Sequence, residues 1–379
     1  MRILHLLYES KGDYFGIGGV ATRAYEIYRY LKKRHDITLL CKRYPGAEDG
    51  EIDDLKHIFV GTESKNLTKT FLSYAYQALR FVKRYGNDYD IIIEEFSPAI
   101  PTFLHAFTKK PVVLQVQGFT GQLYFRKYNP LYALSLYTME RLRPLFYKYF
   151  IFINNKTIDR LLPKRFLYHI STADNRENIK VISNGISPEL LTLSVEDGDY
   201  ILYLGRIDIY SKGLDTLIMA YKDFCNSFPE IRLVIAGDGR DREKFEAMIR
   251  RLPDGVRRNI ELTGWVSGDK KKEILRRALF CVFPSRHEVQ AITRMEAMAC
   301  GKAVIVSDIP EFGYIVRERA GISFKCGDPV SLSRVMNDMV TSNERQDIGL
   351  RGRHLINDST WDKIATIYED FLITLFMRS

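Results

Sequence analysis

The sequence predicts an α/β protein made of two similar halves, each built on a parallel sheet. The 379 residues exceed the usual size of one domain, about 100–200 residues. Short apolar runs alternate with amphipathic stretches of helical period, which is typical of parallel strands joined by crossover helices. The alternation restarts near Tyr200, after a polar stretch at 171–178 and a turn at 194–199. We therefore expect two domains, residues 1–170 and 171–359, with a C-terminal helix in 360–379 that packs back on the first.

Eleven short apolar runs are the expected strands. Val, Ile, Leu and aromatic residues dominate them. In chain order they are 3–8, 37–41, 91–94, 112–116, 150–154, 180–182, 200–205, 232–236, 260–263, 279–283 and 303–307. The last segment, 361–377, is predicted as an amphipathic helix, with Ser359 or Thr360 as its N-cap.

Composition predicts a soluble protein of the cytoplasm and excludes a disordered chain. Apolar residues make up 46% and charged residues 27% of the sequence, as in ordinary globular proteins. No run of 18 apolar residues occurs, and the apolar start at 3–7 is too short for a signal peptide. The five cysteines are far apart and lack metal-ligand spacing, so we expect free thiols.

The net charge of +9 is concentrated in one segment. Residues 101–170 carry 11 basic and two acidic side chains, whereas residues 171–379 carry 30 basic and 31 acidic ones. Ten aromatic residues within 119–150 are interleaved with basic ones. Such a surface suits an anionic membrane or a soluble anionic acceptor. A buried aromatic core with a solvated basic rim is the alternative.

A glycine cluster, Gly16-Ile17-Gly18-Gly19, precedes a helix predicted at 20–33. Bare backbone amides there can approach an anion at the helix N-terminus. The residues fit the dinucleotide pattern G-x-G-x-x-A, but seven residues separate them from the first strand, and the second strand ends in Lys42-Arg43 instead of an acid. A nicotinamide-dinucleotide site and a flexible turn are therefore the alternative interpretations of this glycine cluster.

Charged residues follow two predicted strands of the second half. Gly205-Arg206 ends one strand, and Lys212 precedes the next helix. A guanidinium and an ammonium at the carboxyl edge of a sheet suit a diphosphate, although a solvated surface pair would look the same. Glu288 lies in the loop after the strand at 279–283, and Glu296 lies in the first turns of the next helix. Both carboxylates could accept hydrogen bonds from sugar and ribose hydroxyls.

Together these motifs resemble the retaining glycosyltransferases of family 4, also called glycosyltransferase group 1. The resemblance rests on Gly205-Arg206 with Lys212-Gly213, the segments 233–239 and 262–266, the Glu288 to Glu296 pair and the run 296–304. The segments 18–20, 183–186 and 359–361 fit as well. The resemblance is strong in 180–325 and weak in 44–170. It implies the GT-B architecture, in which two Rossmann-like domains with parallel sheets face each other across a cleft.

The resemblance also implies roles for individual residues. Arg206 and Lys212 would hold the donor diphosphate, and Glu288 would bind the transferred sugar, which makes these three the catalytic candidates. The donor-binding candidates are Gly18 and Gly19 at the diphosphate, Glu296 at the ribose, Trp265 and Val266 beside the base, and Gly205, Gly237, Gln290, Ala291 and Ile292 around them. Residues 289–293 lack the family's usual Gly and Phe, so the resemblance does not imply a particular sugar.

The acceptor side is less defined. Many relatives carry a His after the fourth strand of the first domain, where this chain has Gln117, and a glutamine cannot shuttle a proton. His105, His5 and His287 are the nearest imidazole candidates, although a lone histidine is more often structural. The acceptor-side candidates are Gln117, His105, Arg126, Lys127, Arg141 and Arg143.

The sequence thus predicts a retaining hexosyltransferase with a nucleoside diphosphate sugar as donor and no cofactor. Asp88-Tyr89-Asp90 and Asp197-Gly198-Asp199 match the Asp-x-Asp pattern of metal-dependent transferases, but both precede a strand, so we expect no metal. We expect a glycan or lipid-linked acceptor and no nucleic acid. We also expect a cytoplasmic location, with peripheral attachment to the inner face of the membrane left open. A sugar-nucleotide epimerase of the same architecture and a catalytically silent nucleotide-sugar-binding protein are the alternatives.

Overall fold

A computed structural model describes residues 1–13, 18–163, 176–194 and 196–378. The chain divides into two compact units, Met1–Asn184 together with Trp361–Ser379, and Gly185–Thr360. The boundary expected near residue 170 lies in 164–175, outside the described residues. The expected α/β class with two parallel, Rossmann-like sheets is confirmed.

The first unit contains, within the described residues, an eight-stranded sheet. Its strands are β1 (Arg2–Leu7), β2 (Asp36–Lys42), β3 (Gly50–Ile52), β4 (Leu55–Val60), β5 (Ile91–Glu95), β6 (Val112–Val116), β7 (Tyr149–Phe152) and β8 (Ile179–Val181). They lie in the spatial order β3-β4-β2-β1-β5-β6-β7-β8. Only β3 and β4 pair antiparallel among these strands. From β1 the chain proceeds to β2 in one direction across the sheet, and from β5 it proceeds to β8 in the other direction. The direction of winding therefore reverses between β1 and β5.

Helices of the first unit cover both faces of this sheet. They are α1 (Gly19–Leu31), α2 (Leu67–Tyr85), α3 (Tyr124–Lys127), α4 (Pro130–Leu142) and α5 (Asn155–Leu161). Short 3-10 helices lie at Gly86–Asp88, Leu104–Ala106, Gly121–Leu123, Arg143–Phe146 and Arg176–Asn178. Side chains of Asn66, Asn129 and Asn154 cap α2, α4 and α5 by accepting a backbone N–H of the first turn. β1, β5 and β6 are buried on both faces almost throughout, as expected of central parallel strands.

The second unit contains a six-stranded sheet among its described residues. Its strands are β9 (Tyr200–Leu204), β10 (Arg232–Ala236), β11 (Ile260–Gly264), β12 (Phe280–Phe283), β13 (Val304–Ser307) and β14 (Ile322–Phe324). The spatial order is β11-β10-β9-β12-β13-β14, and every neighbouring pair is parallel. This is the order of a doubly wound α/β sheet, in which the direction of winding reverses between β9 and β12.

The helices of this unit pack on both faces of the sheet. They are α6 (Ile209–Lys212), α7 (Leu214–Phe224), α8 (Arg242–Arg250), α9 (Asp254–Arg257), α10 (Gly268–Arg276), α11 (Ile292–Ala299), α12 (Gly313–Arg317), α13 (Pro329–Thr341) and α14 (Arg345–Ile356), with 3-10 helices at Pro188–Leu191 and Pro310–Phe312. One apolar cluster includes Leu217, Phe224 and Met336, and a second includes Leu202, Met298 and Val306. These two clusters form the core.

The C-terminal helix α15 (Trp361–Met377) belongs to the first unit. Its Tyr368 ring meets Tyr28 of α1 edge-on, with ring centroids 6.4 Å apart. Its Glu369 carboxylate lies 2.6 Å from both the Arg34 guanidinium and the His35 imidazole. Apolar and charged contacts thus attach the end of the chain to its beginning.

Three strands were not expected from the sequence. β4 alternates buried and exposed residues, and Lys56 and His57 interrupt its apolar run. β3 pairs with it through a tight turn in which Asp53 and Asp54 take left-handed backbone conformations, with φ of 55° and 57°. β14 is only three residues long. Such short or partly polar segments carry too weak a pattern to be recognised without their partner strands.

Gly237→Ala is expected to destabilise the second unit. A Cβ at this position would lie 1.9 Å from the Gly205 carbonyl oxygen, so the two strand ends would have to separate. We expect the free energy of unfolding to fall by about 2–4 kcal/mol, measured by urea unfolding of the full chain. Gly255→Ala is the control, because a Cβ there meets nothing within 4 Å. Equal urea midpoints for the two variants would show that this close approach is unimportant.

Candidate functional site

Four neighbouring strands of the second sheet are followed by residues that the sequence predicted to be donor-binding or catalytic. Trp265 follows β11, Gly237 follows β10, Gly205 and Arg206 follow β9, and Glu288 lies in the loop after β12. Because these strands are parallel neighbours, their carboxyl ends meet at one edge of the sheet. The structure therefore brings the strand-end candidates of this unit to a common edge.

The turn after β9 holds Lys212 beside the loop after β12. The Asp208 carboxylate caps α6 by accepting the Ser211 backbone N–H at 2.9 Å. Gly213 ends this helix in a left-handed conformation with a φ of 65°, and a Cβ there would lie 2.0 Å from the Pro284 carbonyl oxygen. Only glycine combines this conformation with so close an approach.

Lys212 and Glu288 form an ion pair across this approach. Their side chains are 18% and 13% exposed. Burial opposes ionisation of Glu288, but the Lys212 ammonium and the Val289 backbone N–H outweigh it and lower the pKa of the Glu288 carboxyl. Glu288 is therefore an ionised hydrogen-bond acceptor at neutral pH.

Arg206 is exposed at the same strand end. Its guanidinium makes no hydrogen bond or ion pair with any residue that the structure describes. A guanidinium presents five N–H donors in a planar fork that matches phosphate oxygens. Arg206 and Lys212 thus supply two positive charges next to the point where the sheet reverses direction.

Glu296 lies on α11 and also pairs with a lysine. Its carboxylate is largely buried, and Oε1 accepts from Nζ of Lys271 at 2.6 Å. The sequence did not identify Lys271, which lies on α10 and has no motif of its own. Two carboxylates of the predicted donor site are therefore each held by a lysine from another element.

The remaining donor candidates differ in exposure. Trp265 is 57% exposed, whereas Val266 is buried. Gln290, Ala291 and Ile292 are partly exposed at the start of α11. Arg294, which was not among the sequence candidates, is buried in the first turn of α11. Its guanidinium donates to the Tyr314 hydroxyl at 2.6 Å and lies over the Phe312 ring.

In the first unit, the N-terminus of α1 binds a carboxylate of the same unit. The Gly18 backbone N–H donates to Oε2 of Glu9 at 2.9 Å, and the Ala21 N–H donates to the same oxygen at 3.2 Å. Gly19 is the first residue of the helix. Gly16 and Ile17 of the glycine cluster lie outside the described residues. This end of α1 therefore attracts an anion, as helix N-termini do.

Gln117 joins a buried polar cluster where the first sheet reverses direction. Its amide donates to both oxygens of Glu95, at 3.0 and 3.1 Å. Gln115 donates to the same carboxylate, and Nε2 of His5 lies 3.2 Å from it. The sequence missed Glu95, although the pair Glu94-Glu95 at the end of a strand was a detectable signal. His105 instead stacks on Phe146, and lost hydration lowers the pKa of its imidazole.

Two family models match the chain. Glycosyltransferase Family 4 matches residues 17–190, and Glycosyl transferases group 1 matches residues 192–354. The chain belongs to glycosyltransferase family 4.

The chain is distantly similar to several named proteins. An uncharacterized glycosyltransferase of Methanocaldococcus jannaschii is 28% identical over 55% of this chain and 57% of its own length. The phosphatidyl-myo-inositol mannosyltransferase of Mycobacterium leprae is 28% identical over 49% of this chain and 50% of its own length. The chain thus spans about half the length of the curated relatives it matches. The structure of Anabaena HepE in complex with UDP and glucose shares the fold, with a TM-score of 0.71, 16% identity and 98% coverage of both chains.

One basic residue of this family 4 chain does not lie where the sequence suggested. Arg143 was expected in an acceptor-side surface, but its side chain is fully buried. It pairs with Glu94 and donates to the carbonyl oxygens of Thr102 and Ser97, both at 2.8 Å. A guanidinium can be buried when a carboxylate and several acceptors satisfy it, so Arg143 is structural.

The other basic candidates lie nearer the surface. Arg126 and Arg141 are exposed, and Lys127 is half-buried. The Arg141 guanidinium lies over the rings of Phe119 and Tyr137. Of the ten aromatic residues in 119–150, Tyr124, Tyr147 and Phe150 are buried, whereas Phe125, Tyr128 and Phe146 are exposed. The segment is therefore partly core and partly surface.

Both Asp-x-Asp motifs precede a strand, as the sequence indicated. Asp90 accepts the Arg2 backbone N–H at 2.7 Å just before β5. Asp199 pairs with Arg232 at 3.2 Å just before β9. Within the described ranges, no three His, Cys, Asp or Glu side chains gather as metal ligands would. Among those same residues, none of the helices has the length and apolar character needed to cross a bilayer.

Glu288→Gln tests the ion pair through its pH dependence. Since the folded pKa of Glu288 lies below the ordinary value of 4.5, the unfolded chain takes up the proton first as the pH falls. The stabilisation is therefore complete above about pH 4.5 and is lost as the pH falls through the folded pKa. We expect wild type to be more stable than Glu288→Gln at pH 7, with a difference that shrinks in acid, measured by urea unfolding.

Glu230→Gln is the matched control, because Glu230 is exposed and makes no hydrogen bond or ion pair with a described residue. Its stability should follow that of wild type at every pH. A difference between wild type and Glu288→Gln that stays constant from pH 7 into acid would contradict the ion pair's role.

Proposed function

We propose that this chain transfers a hexose from a nucleoside diphosphate sugar to an acceptor hydroxyl, with retention at the anomeric carbon. The observation that carries the proposal is the group Arg206, Lys212 and Glu288 at the carboxyl edge of β9 and β12. Open α/β sheets bind ligands at the point where the strand order reverses. Two cations with an ionised carboxylate there suit a diphosphate and a sugar hydroxyl.

The charges suggest how the leaving group is stabilised. The bond between the anomeric carbon and the diphosphate oxygen breaks, and negative charge develops on that oxygen. Arg206 and Lys212 stabilise this charge more in the transition state than in the ground state, which is the condition for catalysis. The acceptor oxygen bonds to the anomeric carbon on the same face, and its proton passes to the leaving diphosphate oxygen. Glu288 accepts a hydrogen bond from a sugar hydroxyl and holds the ring in place.

Two cations on the protein can meet the charge of the diphosphate, so the proposal includes no metal. Anabaena HepE, which shares the fold, was crystallised with UDP and glucose. The mycobacterial relative is named a mannosyltransferase. The donor of this chain is accordingly a hexose nucleotide whose base and sugar are to be found by screening.

A turnover assay with UDP-, GDP- and ADP-hexoses tests this function. We expect free nucleoside diphosphate to appear, and to appear equally in excess EDTA. Arg206→Ala should lower kcat/KM by about 10²-fold or more, because it removes charge stabilisation at the leaving group. Arg258→Ala is the control, since Arg258 is exposed and unpaired with any described residue.

Each other outcome of this assay contradicts the proposal in its own way. An altered nucleotide sugar without free diphosphate would indicate an epimerase. Binding without any product would indicate a silent binding protein. Wild-type turnover by folded Arg206→Ala would mean that the diphosphate binds elsewhere. Loss of activity in EDTA would bring a metal into the mechanism.

We further propose a lipid-linked or anionic acceptor, reached at the inner face of the membrane. Phe125, Leu131, Leu134 and Phe146 are large apolar side chains exposed on and around α3 and α4. Arg126, Arg141 and Lys148 are exposed in the same segment. Apolar side chains with basic neighbours suit the headgroup region of an anionic bilayer. The name of the mycobacterial relative likewise includes a phosphoinositide lipid.

Co-sedimentation with anionic vesicles tests the membrane proposal. We expect binding at low salt that weakens as salt is added, because each basic residue near the surface contributes about 1 kcal/mol and is screened. Changing Arg126, Arg141 and Lys148 together to Ser should weaken binding, whereas the same change at Arg251, Arg257 and Arg258 of the second unit should not. If wild type stays in the supernatant at low salt, a soluble acceptor replaces the lipid.

A further inference from the structure

Three consecutive lysines of α10, Lys270, Lys271 and Lys272, differ in their surroundings. Successive helical residues point about 100° apart, so each lysine faces another direction. Lys272 pairs with Glu189 at the surface. Lys270 is exposed and has no polar partner among the described residues. Lys271 shares a helix face with the buried Leu275, four residues later.

Lys271 thereby reaches the carboxylate of Glu296. The two side chains are 28% and 9% exposed, and Nζ lies 2.6 Å from Oε1. Oε2 of Glu296 makes no hydrogen bond with a described residue. The ammonium has three donors, of which this bond uses one. The pair therefore presents a free carboxylate oxygen beside free ammonium protons.

This arrangement matches two adjacent hydroxyl groups. One hydroxyl of a vicinal diol can donate to the carboxylate oxygen, while the other accepts from the ammonium. A ribose carries such a diol at its 2′ and 3′ positions. A lone carboxylate could accept from both hydroxyls through its two oxygens, but here Lys271 engages Oε1 and offers a donor to the second hydroxyl.

We propose that Lys271 is a second ribose-binding group, and that with Glu296 it makes the donor site select ribonucleotides over deoxyribonucleotides. This inference rests on the proposed function, which assigns the donor ribose to Glu296. The lysine also fixes the direction of the Glu296 carboxylate through a bond that involves only one of its oxygens. Each of the two hydroxyls makes one of these charge-assisted bonds, so a sugar that lacks a hydroxyl loses the corresponding bond.

Calorimetric titration of the full chain with UDP, GDP and ADP, and with their 2′,3′-dideoxy counterparts, tests the inference. We expect wild type to bind at least one ribonucleotide about tenfold or more tightly than its dideoxy form. Lys271→Met should weaken the ribonucleotide by about tenfold and change the dideoxynucleotide by less than about twofold. Lys271→Arg should retain part of the preference, and Lys270→Met should retain all of it.

The controls separate the possible failures. Equal weakening of both nucleotides by Lys271→Met would reduce Lys271 to a structural residue, and an unchanged ribonucleotide affinity would remove it from the site. Lys271→Gln replaces Lys271→Met if circular dichroism shows that the latter is unfolded. Wild type that binds without ribose preference overturns this inference alone. Wild type that binds none of the three diphosphates contradicts the proposed function itself.

Discussion

The close approach of the turn after β9 to the loop after β12 is the constraint on which the site of the second unit depends. Gly213 allows it, because its left-handed backbone passes within contact of the Pro284 carbonyl. Lys212 then meets Glu288, and the two charges are held largely out of water. The ion pair keeps Glu288 ionised despite its burial. A larger residue at 213 would move the Lys212 ammonium away from the Glu288 carboxylate. It would thereby disrupt both the ion pair and the ionisation of Glu288.

Polar partners hold three carboxylates of the chain, two in the second unit and one in the first. Glu288 and Glu296 are each held by a lysine, and Glu95 accepts from two glutamine amides. Buried carboxylates need such partners, since desolvation otherwise favours the protonated form. Oxygens held in a fixed direction are what the recognition of sugar hydroxyls requires.

Continuous apolar runs made the central strands predictable, and residues in the loops and turns that follow those strands were predicted together with them. Arg206, Lys212 and Glu288 belong to this group. The hairpin β3-β4 was not predicted because β3 is short and because Lys56 and His57 interrupt the apolar run of β4. Lys271 was not predicted because its partner Glu296 is distant in sequence. Arg143 was expected at the surface because charge alone suggests exposure, whereas Glu94 and backbone carbonyls satisfy it in the interior. Sequence patterns identify strand ends well, but they do not identify which side chains meet there.

The position of a bound nucleoside diphosphate in a crystal structure of the full chain is the most direct test of this account. The diphosphate oxygens should lie within hydrogen-bond distance, about 2.7–3.2 Å, of the Arg206 guanidinium and the Lys212 ammonium at the carboxyl edge of β9. The ribose hydroxyls should lie beside Glu296. A diphosphate bound elsewhere, with neither Arg206 nor Lys212 in contact with it, would contradict the assignment of the donor site.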